Sequence, residues 1–125
     1  MSYHERYLVA AALTLAVELP IVFLLVRQAG PDLPFRRVVG AALAANVLTH
    51  PALWYVPYFL IPRALSPRHW GTYVLVGEGA VVAVETLVYW RMMARGRPWL
   101  ALALAALANA ASYGVGLFVL PLLTG

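Results

Sequence analysis

Four long apolar segments, separated by connectors rich in Arg, Pro and Gly, constrain the fold of this chain more than any other feature. The segments cover residues 7–26, 38–61, 70–93 and 99–122, each close to the ~20 residues that cross the hydrocarbon core of a bilayer. The connectors "RQAGPDLPFRR", "PRALSPRH" and "ARGRP" are short enough to join antiparallel neighbours. The pattern predicts an all-α transmembrane up-down four-helix bundle that forms a single domain over residues 1–125.

The composition agrees with a membrane protein and excludes several chemistries. Hydrophobic residues make up 63% of the chain and charged residues 11%, whereas soluble domains are about half apolar and a quarter charged. The chain has no cysteine, which excludes disulfides, Cys-ligated zinc and thiol nucleophiles. The net charge of +4 does not indicate a nucleic-acid partner, because no basic face is interleaved with exposed aromatic residues. The partner that the sequence predicts is the lipid bilayer.

The distribution of arginine predicts the orientation in the membrane. The first and third connectors and their flanks carry six arginines, and the opposite side carries three, Arg6, Arg63 and Arg68. Because cytoplasmic loops carry the excess of positive charge, both termini are expected outside the cytoplasm. An inverted or dual topology is the alternative. The apolar stretch of the first segment is too long for a signal peptide, so we treat it as a mature span.

Every predicted helix brings polar residues to the same level near its middle: Glu18, Asn46, His50, Asn109 and Ser112, with Glu78 and Glu85 on either side of the middle of the third helix. Glu78 and Glu85 are two helical turns apart, so they share a face and are separated by about 10.5 Å along the helix axis. Tyr89 follows Glu85 by four residues on the same face. These polar stripes are expected to converge inside the bundle, away from lipid.

The carboxyl groups at this depth are costly, which makes them candidates for function. An ionised group at a helix centre costs about 2.5–3.5 kcal/mol on insertion scales. Since every arginine lies at a segment end, no basic side chain in the sequence neutralises them. Three solutions remain open: protonated carboxyls, protons shared among the carboxyls and His50, or a bound cation. Hydrogen bonding between helices is the purely structural alternative.

These considerations predict a membrane site that binds, and in one variant translocates, a cation or protons. The primary residues are Glu18, His50, Glu78 and Glu85, which are also the candidate metal ligands. Asn46, Asn109, Ser112 and Tyr89 are supporting residues. A site with several carboxylates and one His suits Mn, Fe, Zn or Mg. Pro20 and Pro51 free the carbonyls of Ala16 and Val47 as further oxygen donors.

Other functions remain open at this stage. The sequence lacks the Glu-x-x-His pairs of di-iron bundles, the His-Glu-x-x-His motif, a nucleophile elbow and a phosphate loop, so no motif identifies an enzyme. An intramembrane hydrolase that acts through a Glu-activated water stays open, although no motif specifies it. Haem ligation by His50 and an architectural analogy to small multidrug transporters through Glu18 are two alternatives. A third is a non-catalytic accessory subunit, in a homo-oligomer or a larger membrane complex, whose polar residues only hold the helices together.

The chain resembles a group of small bacterial four-helix membrane proteins that have no named activity. The resemblance covers nearly the whole chain and rests on Glu18-Leu-Pro20, on "NVLTHP" over residues 46–51, on Glu78 with Glu85, and on "NAAS" over residues 109–112. It implies a location in the bacterial inner membrane. Asn often occupies the position of His50 in that group, which argues against an obligatory His ligand and gives more weight to the carboxyls.

Overall fold

Four helices make up the chain in the computed structural model, which describes residues 1–30 and 32–125. They are α1 (Tyr3–Ala29), α2 (Phe35–Phe59), α3 (Trp70–Met92) and α4 (Pro98–Thr124), with a short 3-10 helix at Pro62–Leu65 between α2 and α3. No strand occurs in these two ranges, and the predicted all-α architecture with four helices is confirmed. The observed bounds lie within a few residues of the predicted ones.

Local sequence explains where the helices begin and end. Ser2 caps α1 by accepting a hydrogen bond from the Glu5 backbone amide, and the Glu5 carboxyl accepts one from the Ser2 backbone amide, which completes a capping box. Gly30 ends α1 with φ +95°, a left-handed conformation that favours glycine. Helix α2 ends earlier than predicted because Pro62 disfavours a helical conformation at Ile61, where φ is −135° and ψ is 59°.

Three helices, α1, α3 and α4, are long and apolar enough to span a membrane. Helix α2 has 25 residues, so its length suffices, but it is not among the candidate spans. Its hydropathy is lowered by Asn46, Thr49 and His50 and by two internal prolines. Asn46 and Thr49 are buried inside the bundle, whereas the exposed positions Val47 and Leu48 are apolar. A membrane span for α2 therefore stays a prediction.

The helices form a closed ring in which each contacts two neighbours. Helix α1 packs against α2 and α4, and α3 packs against the same two helices. At one end, the Tyr3 hydroxyl donates to the Trp54 carbonyl at 2.6 Å, which places the start of α1 beside the end of α2. At the other end, Arg97 donates to the Ala29 carbonyl at 3.1 Å, which places the start of α4 beside the end of α1. Neighbouring helices are thus antiparallel.

The two ends of the bundle differ in packing. The connector end, where α1 leads into α2 and α3 into α4, has a close-packed apolar core that includes Val22, Val26, Val38, Leu104 and many alanines. The terminal end, which carries both chain termini and the 3-10 helix, contains a cavity instead. A layer of buried polar residues separates the two ends: Glu18, Asn46, Thr49, Glu85, Asn109 and Ser112.

Candidate functional site

A cavity of about 400 Å³ occupies the terminal end of the bundle. This volume lies within the range of about 300–1,000 Å³ that is typical of small-molecule sites. Its walls are largely apolar and aromatic, with Tyr3, Trp54, Trp70 and Tyr73 among them. The polar layer forms its floor, to which Asn46, Thr49, Glu85, Asn109 and Ser112 contribute.

Glu18 occupies one half of the floor and is fully buried, with 0% of its surface exposed. Its Oε2 accepts a hydrogen bond from Asn46 Nδ2 on α2 at 2.8 Å, and its Oε1 lies 2.8 Å from the Ser112 hydroxyl on α4. These two contacts join α1 to both of its neighbours in the ring. Glu18 therefore occupies a complete interhelical hydrogen-bonding site.

Glu85 occupies the other half of the floor and is 1% exposed. Its Oε2 accepts from Asn109 Nδ2 on α4 at 2.5 Å, and its Oε1 lies 2.9 Å from the Thr49 hydroxyl on α2. Helix α3 is thereby joined to α2 and α4, as α1 is on the opposite side. The six polar side chains of the floor tie all four helices together.

The α1–α2 hairpin and the α3–α4 hairpin contribute equivalent residues to the two halves of the floor. Each carboxyl takes an amide from one neighbouring helix and faces a hydroxyl of the other. The sequence repeats accordingly: Ala-Val-Glu occurs at residues 16–18 and 83–85, and Asn-x-x-Thr at 46–49 matches Asn-x-x-Ser at 109–112. Because both hairpins run in the same direction, the relationship is a pseudo-two-fold axis along the bundle.

Neutral carboxyls at Glu18 and Glu85 satisfy the hydrogen-bond contacts of the floor. The Thr49 hydroxyl lies 2.9 Å from the Ala45 carbonyl as well as from Glu85, and Ser112 likewise lies 3.2 Å from the Asn109 carbonyl. A hydroxyl has one proton, and a carbonyl oxygen can only accept. All of these contacts are satisfied together when the carboxyl donates its own proton to the hydroxyl. Protonated Glu18 and Glu85 thus need no counter-ion in the bundle.

Glu78 differs from the two floor carboxyls. It lies on the cavity wall, on the same face of α3 as Glu85 but about 10.5 Å nearer the terminal end, and it is partly exposed. It takes part in none of the hydrogen bonds formed by the described side chains. Aromatic residues share this wall, including Trp70 and Tyr73 from the same helix. Glu78 is therefore a carboxyl that a ligand in the cavity can reach.

His50 lines the cavity but does not join the floor carboxyls. Its Nε2 lies 3.3 Å from Thr14 Oγ1, and its ring stacks on Trp54 with centroids 6.3 Å apart. Its Nδ1 is buried and has no partner among the described residues. Within residues 1–30 and 32–125, no group of three His, Asp or Glu side chains could hold a metal ion. The four candidate metal ligands are thus divided between the floor and the wall.

Tyr89, predicted as a supporting residue, and the residues whose carbonyls Pro20 and Pro51 were predicted to free also lie away from the cavity lining. Tyr89 is fully buried in the connector-end core, and its hydroxyl has no hydrogen-bond partner in the described part of the chain. Ala16 and Val47, whose carbonyls Pro20 and Pro51 free, are both exposed and do not line the cavity. These two prolines therefore act on the helices rather than on the site.

Sequence reasoning missed two contributors to the site. Thr49 completes the Glu85 half of the floor, and the repeated Asn-x-x-hydroxyl spacing was the signal that identifies it. Tyr73 donates a hydrogen bond to the Leu53 carbonyl, which Pro57 leaves without its usual helical partner. This bond holds α3 against α2 at the cavity wall. No pattern in the sequence pairs Tyr73 with Leu53.

The fold and the site are those of a helical membrane protein with a polar layer beneath a cavity. Three apolar helices and buried glutamates hydrogen-bonded to polar side chains define this class. No family of known proteins, no curated protein and no solved structure matches the chain.

Proposed function

We propose that the protein binds a small organic cation in its cavity, with Glu78 as the counter-charge and with Glu18 and Glu85 as proton-carrying groups beneath it. The protein would lie in a bacterial inner membrane, with the terminal end facing outward as the arginine distribution predicts. The cation would then enter from the extracytoplasmic side. Its apolar part would contact the aromatic walls, which favour cations through their ring faces.

Glu78 is the observation that carries this proposal. Glu78 forms no hydrogen bond with the side chains that the structure describes, and a carboxyl in that state on the wall of a largely apolar cavity favours a ligand that brings a positive charge. Glu18 and Glu85 do not provide this preference, because their oxygens already contact amides and hydroxyls.

The pseudo-two-fold relationship supports the same division of roles. The residues that form the interhelical hydrogen bonds of the floor occur in both hairpins, which is expected if they have a structural role in a repeated fold. Glu78 has no such counterpart, because the position seven residues before Glu18 is Ala11. The residue after Thr49 is His50, whereas the residue after Ser112 is Tyr113. Side chains that occur once, on the cavity surface, are the better candidates for a ligand-specific role.

This conformation favours binding of the cation in the cavity over its passage across the membrane. Beyond the floor, the connector-end core is close-packed, with Val22, Ala41, Leu104 and Ala105 each 0% exposed. A cation or proton that crossed the membrane along the bundle axis would require this core to open. Translocation is therefore a second step in the proposal, which follows only if binding is demonstrated.

Calorimetric titration of 2-phenylethylammonium into the protein in lipid nanodiscs tests the proposal. We expect saturable binding to the wild type and a loss of about tenfold or more in affinity for Glu78→Gln, since hydrogen bonds to charged groups contribute about 1.5–3 kcal/mol. Asp32→Asn, which removes an exposed carboxyl in the α1–α2 connector, is the matched control and should bind normally. Equal affinities for wild type and Glu78→Gln, or tighter binding of neutral 2-phenylethanol, would contradict the proposal.

An accessory structural role is the second candidate, and the floor itself favours it. Its four interhelical contacts between side chains account for all of the buried carboxyl oxygens without any ligand. If this is the whole role, neither cation nor neutral analogue should bind. Glu18→Gln and Glu85→Gln should also leave the bundle intact, because Gln retains hydrogen bonding.

A further inference from the structure

We infer that the cavity selects cations that carry N–H donors, such as primary ammonium or guanidinium groups, over quaternary cations. This inference rests on the proposed function and names the substrate class of the same site. It follows from the hydrogen-bond acceptors of the floor that form no bond with the described residues of the protein.

Asn46 presents an acceptor to the cavity. Its Nδ2 donates to Glu18 at 2.8 Å and to the Ala42 carbonyl at 3.0 Å, so both amide hydrogens are used. The atom beside Ala42 must be the nitrogen, because a carbonyl oxygen can only accept. Asn46 Oδ1 forms none of the described hydrogen bonds, and the residue lines the cavity. Its oxygen is therefore free for a ligand.

Asn109 repeats this arrangement from the other side of the floor. Its Nδ2 donates to Glu85 at 2.5 Å and to the Ala105 carbonyl at 2.9 Å. Its Oδ1 is left as an acceptor, and Asn109 also lines the cavity. The pseudo-two-fold relationship thus directs two amide oxygens towards one space.

The donors of the floor are used within the protein. The hydroxyls of Thr49 and Ser112 are engaged with backbone carbonyls and with the two buried carboxyls. What the floor and Glu78 leave for a ligand is a set of acceptors: Asn46 Oδ1, Asn109 Oδ1 and the Glu78 carboxyl. A ligand that only accepts hydrogen bonds leaves all three unpaired.

The chemistry of the ligand follows from this set. A primary ammonium has three N–H donors and a guanidinium has five, whereas a quaternary ammonium has none. Burying an acceptor without a partner costs about 1–3 kcal/mol, so a quaternary cation would pay this cost at the floor. The aromatic walls attract both kinds of cation through their ring faces, so the walls do not discriminate between them.

Stepwise N-methylation of 2-phenylethylammonium tests the inference, because each methyl group removes one donor and keeps the aromatic body. We expect affinity to fall along the series from the primary to the trimethyl compound, with an overall loss of at least about tenfold. Glu78→Gln should weaken every member yet keep their order, since the floor acceptors remain. Affinity that is flat or rises on methylation would overturn the inference.

A variant of the floor gives a second, independent test. Asn46→Val removes one acceptor, so the affinity for the primary compound should fall, while the affinity for the trimethyl compound should rise because it no longer leaves that acceptor unpaired. The preference for the primary compound should therefore shrink. Circular dichroism and thermal unfolding of the variant show whether it is folded. An unaltered preference in a folded Asn46→Val protein would also overturn the inference. If Asn46→Val does not fold, the methylation series on the wild type decides alone.

The outcomes separate this inference from the proposed function. Tight binding of the trimethyl compound that depends on Glu78 would leave cation binding standing and reject donor selection. Absence of binding across the whole series, including the primary amine, would reject both.

Discussion

The Ser112 hydroxyl lies 2.8 Å from Glu18 Oε1, although the two residues are 94 positions apart in the chain. This contact joins the last helix to the first and completes a ring of polar contacts at the floor of the cavity. Its counterpart between Thr49 and Glu85 joins α2 to α3 at 2.9 Å. The same contacts that close the bundle also fix the side chains that form the lower boundary of the site.

Glu18 and Asn46 should be energetically coupled. Glu18→Leu leaves the Asn46 amide without its acceptor, and Asn46→Leu leaves the Glu18 carboxyl without its donor, each at about 1–3 kcal/mol. The double variant removes both groups, so it should be less destabilised than the sum of the single variants. Unfolding free energies in mixed detergent measure this coupling. The pair Glu18 and Asn109, which do not bond each other, should be closer to additive.

Loss of the hydroxyl should affect the free energy of unfolding differently at half-buried Tyr73 and at buried Tyr89. Tyr73→Phe should lower the free energy of unfolding by about 1–3 kcal/mol, because the Leu53 carbonyl loses the donor that replaces the one missing at Pro57. Tyr89→Phe should leave stability unchanged or raise it by about 1 kcal/mol, because its buried hydroxyl has no partner in the described residues. Thermal unfolding of both variants in one detergent makes the comparison. Marked destabilisation by Tyr89→Phe would reveal an unrecognised partner.

Gly77 and Gly79 should differ in their tolerance of a side chain. A Cβ at Gly77 would lie 2.8 Å from Leu53 Cδ1, whereas a Cβ at Gly79 would meet nothing within 4 Å. Gly79→Ala should be neutral or stabilising by up to about 1 kcal/mol, as expected for replacing glycine within a helix. Gly77→Ala should raise the free energy of unfolding less than Gly79→Ala does, or lower it. It should also alter ligand binding, since Leu53 lines the cavity. Identical stability of the two variants would argue against close packing of α3 on α2 here.

The orientation of the bundle can be tested directly because the chain has no cysteine. His69→Cys at the terminal end should react with a membrane-impermeant maleimide in intact cells. Gln28→Cys at the connector end should react only after the cells are permeabilised. The expectation follows from the arginine excess at the connector end. Reaction of both variants in intact cells would indicate a dual topology, and the reverse pattern would indicate an inverted one.

The prediction of the site from sequence was partial for a physical reason. Depth in the membrane follows from position along each segment, so the level of Glu18, Asn46 and Asn109 was predictable. Lateral position depends on how each helix is rotated and which helices are neighbours, and periodicity alone does not specify either. The place of Glu78 and His50 on the cavity lining, outside the hydrogen-bonded floor that holds Glu18 and Glu85, therefore emerged only from the packed bundle.

The sequence by itself determined the class of fold. Four apolar segments of membrane-spanning length, short connectors and the terminal signals at Ser2, Gly30 and Pro62 specify helices that are joined as antiparallel neighbours. Local backbone energetics and burial of apolar surface are sufficient for that outcome. The tertiary structure decided which polar groups bond each other and which remain available. Hydrogen bonds act over about 3 Å, so the partners of Glu18 and Glu85, and the availability of Glu78, depend on the final packing of helices distant in sequence.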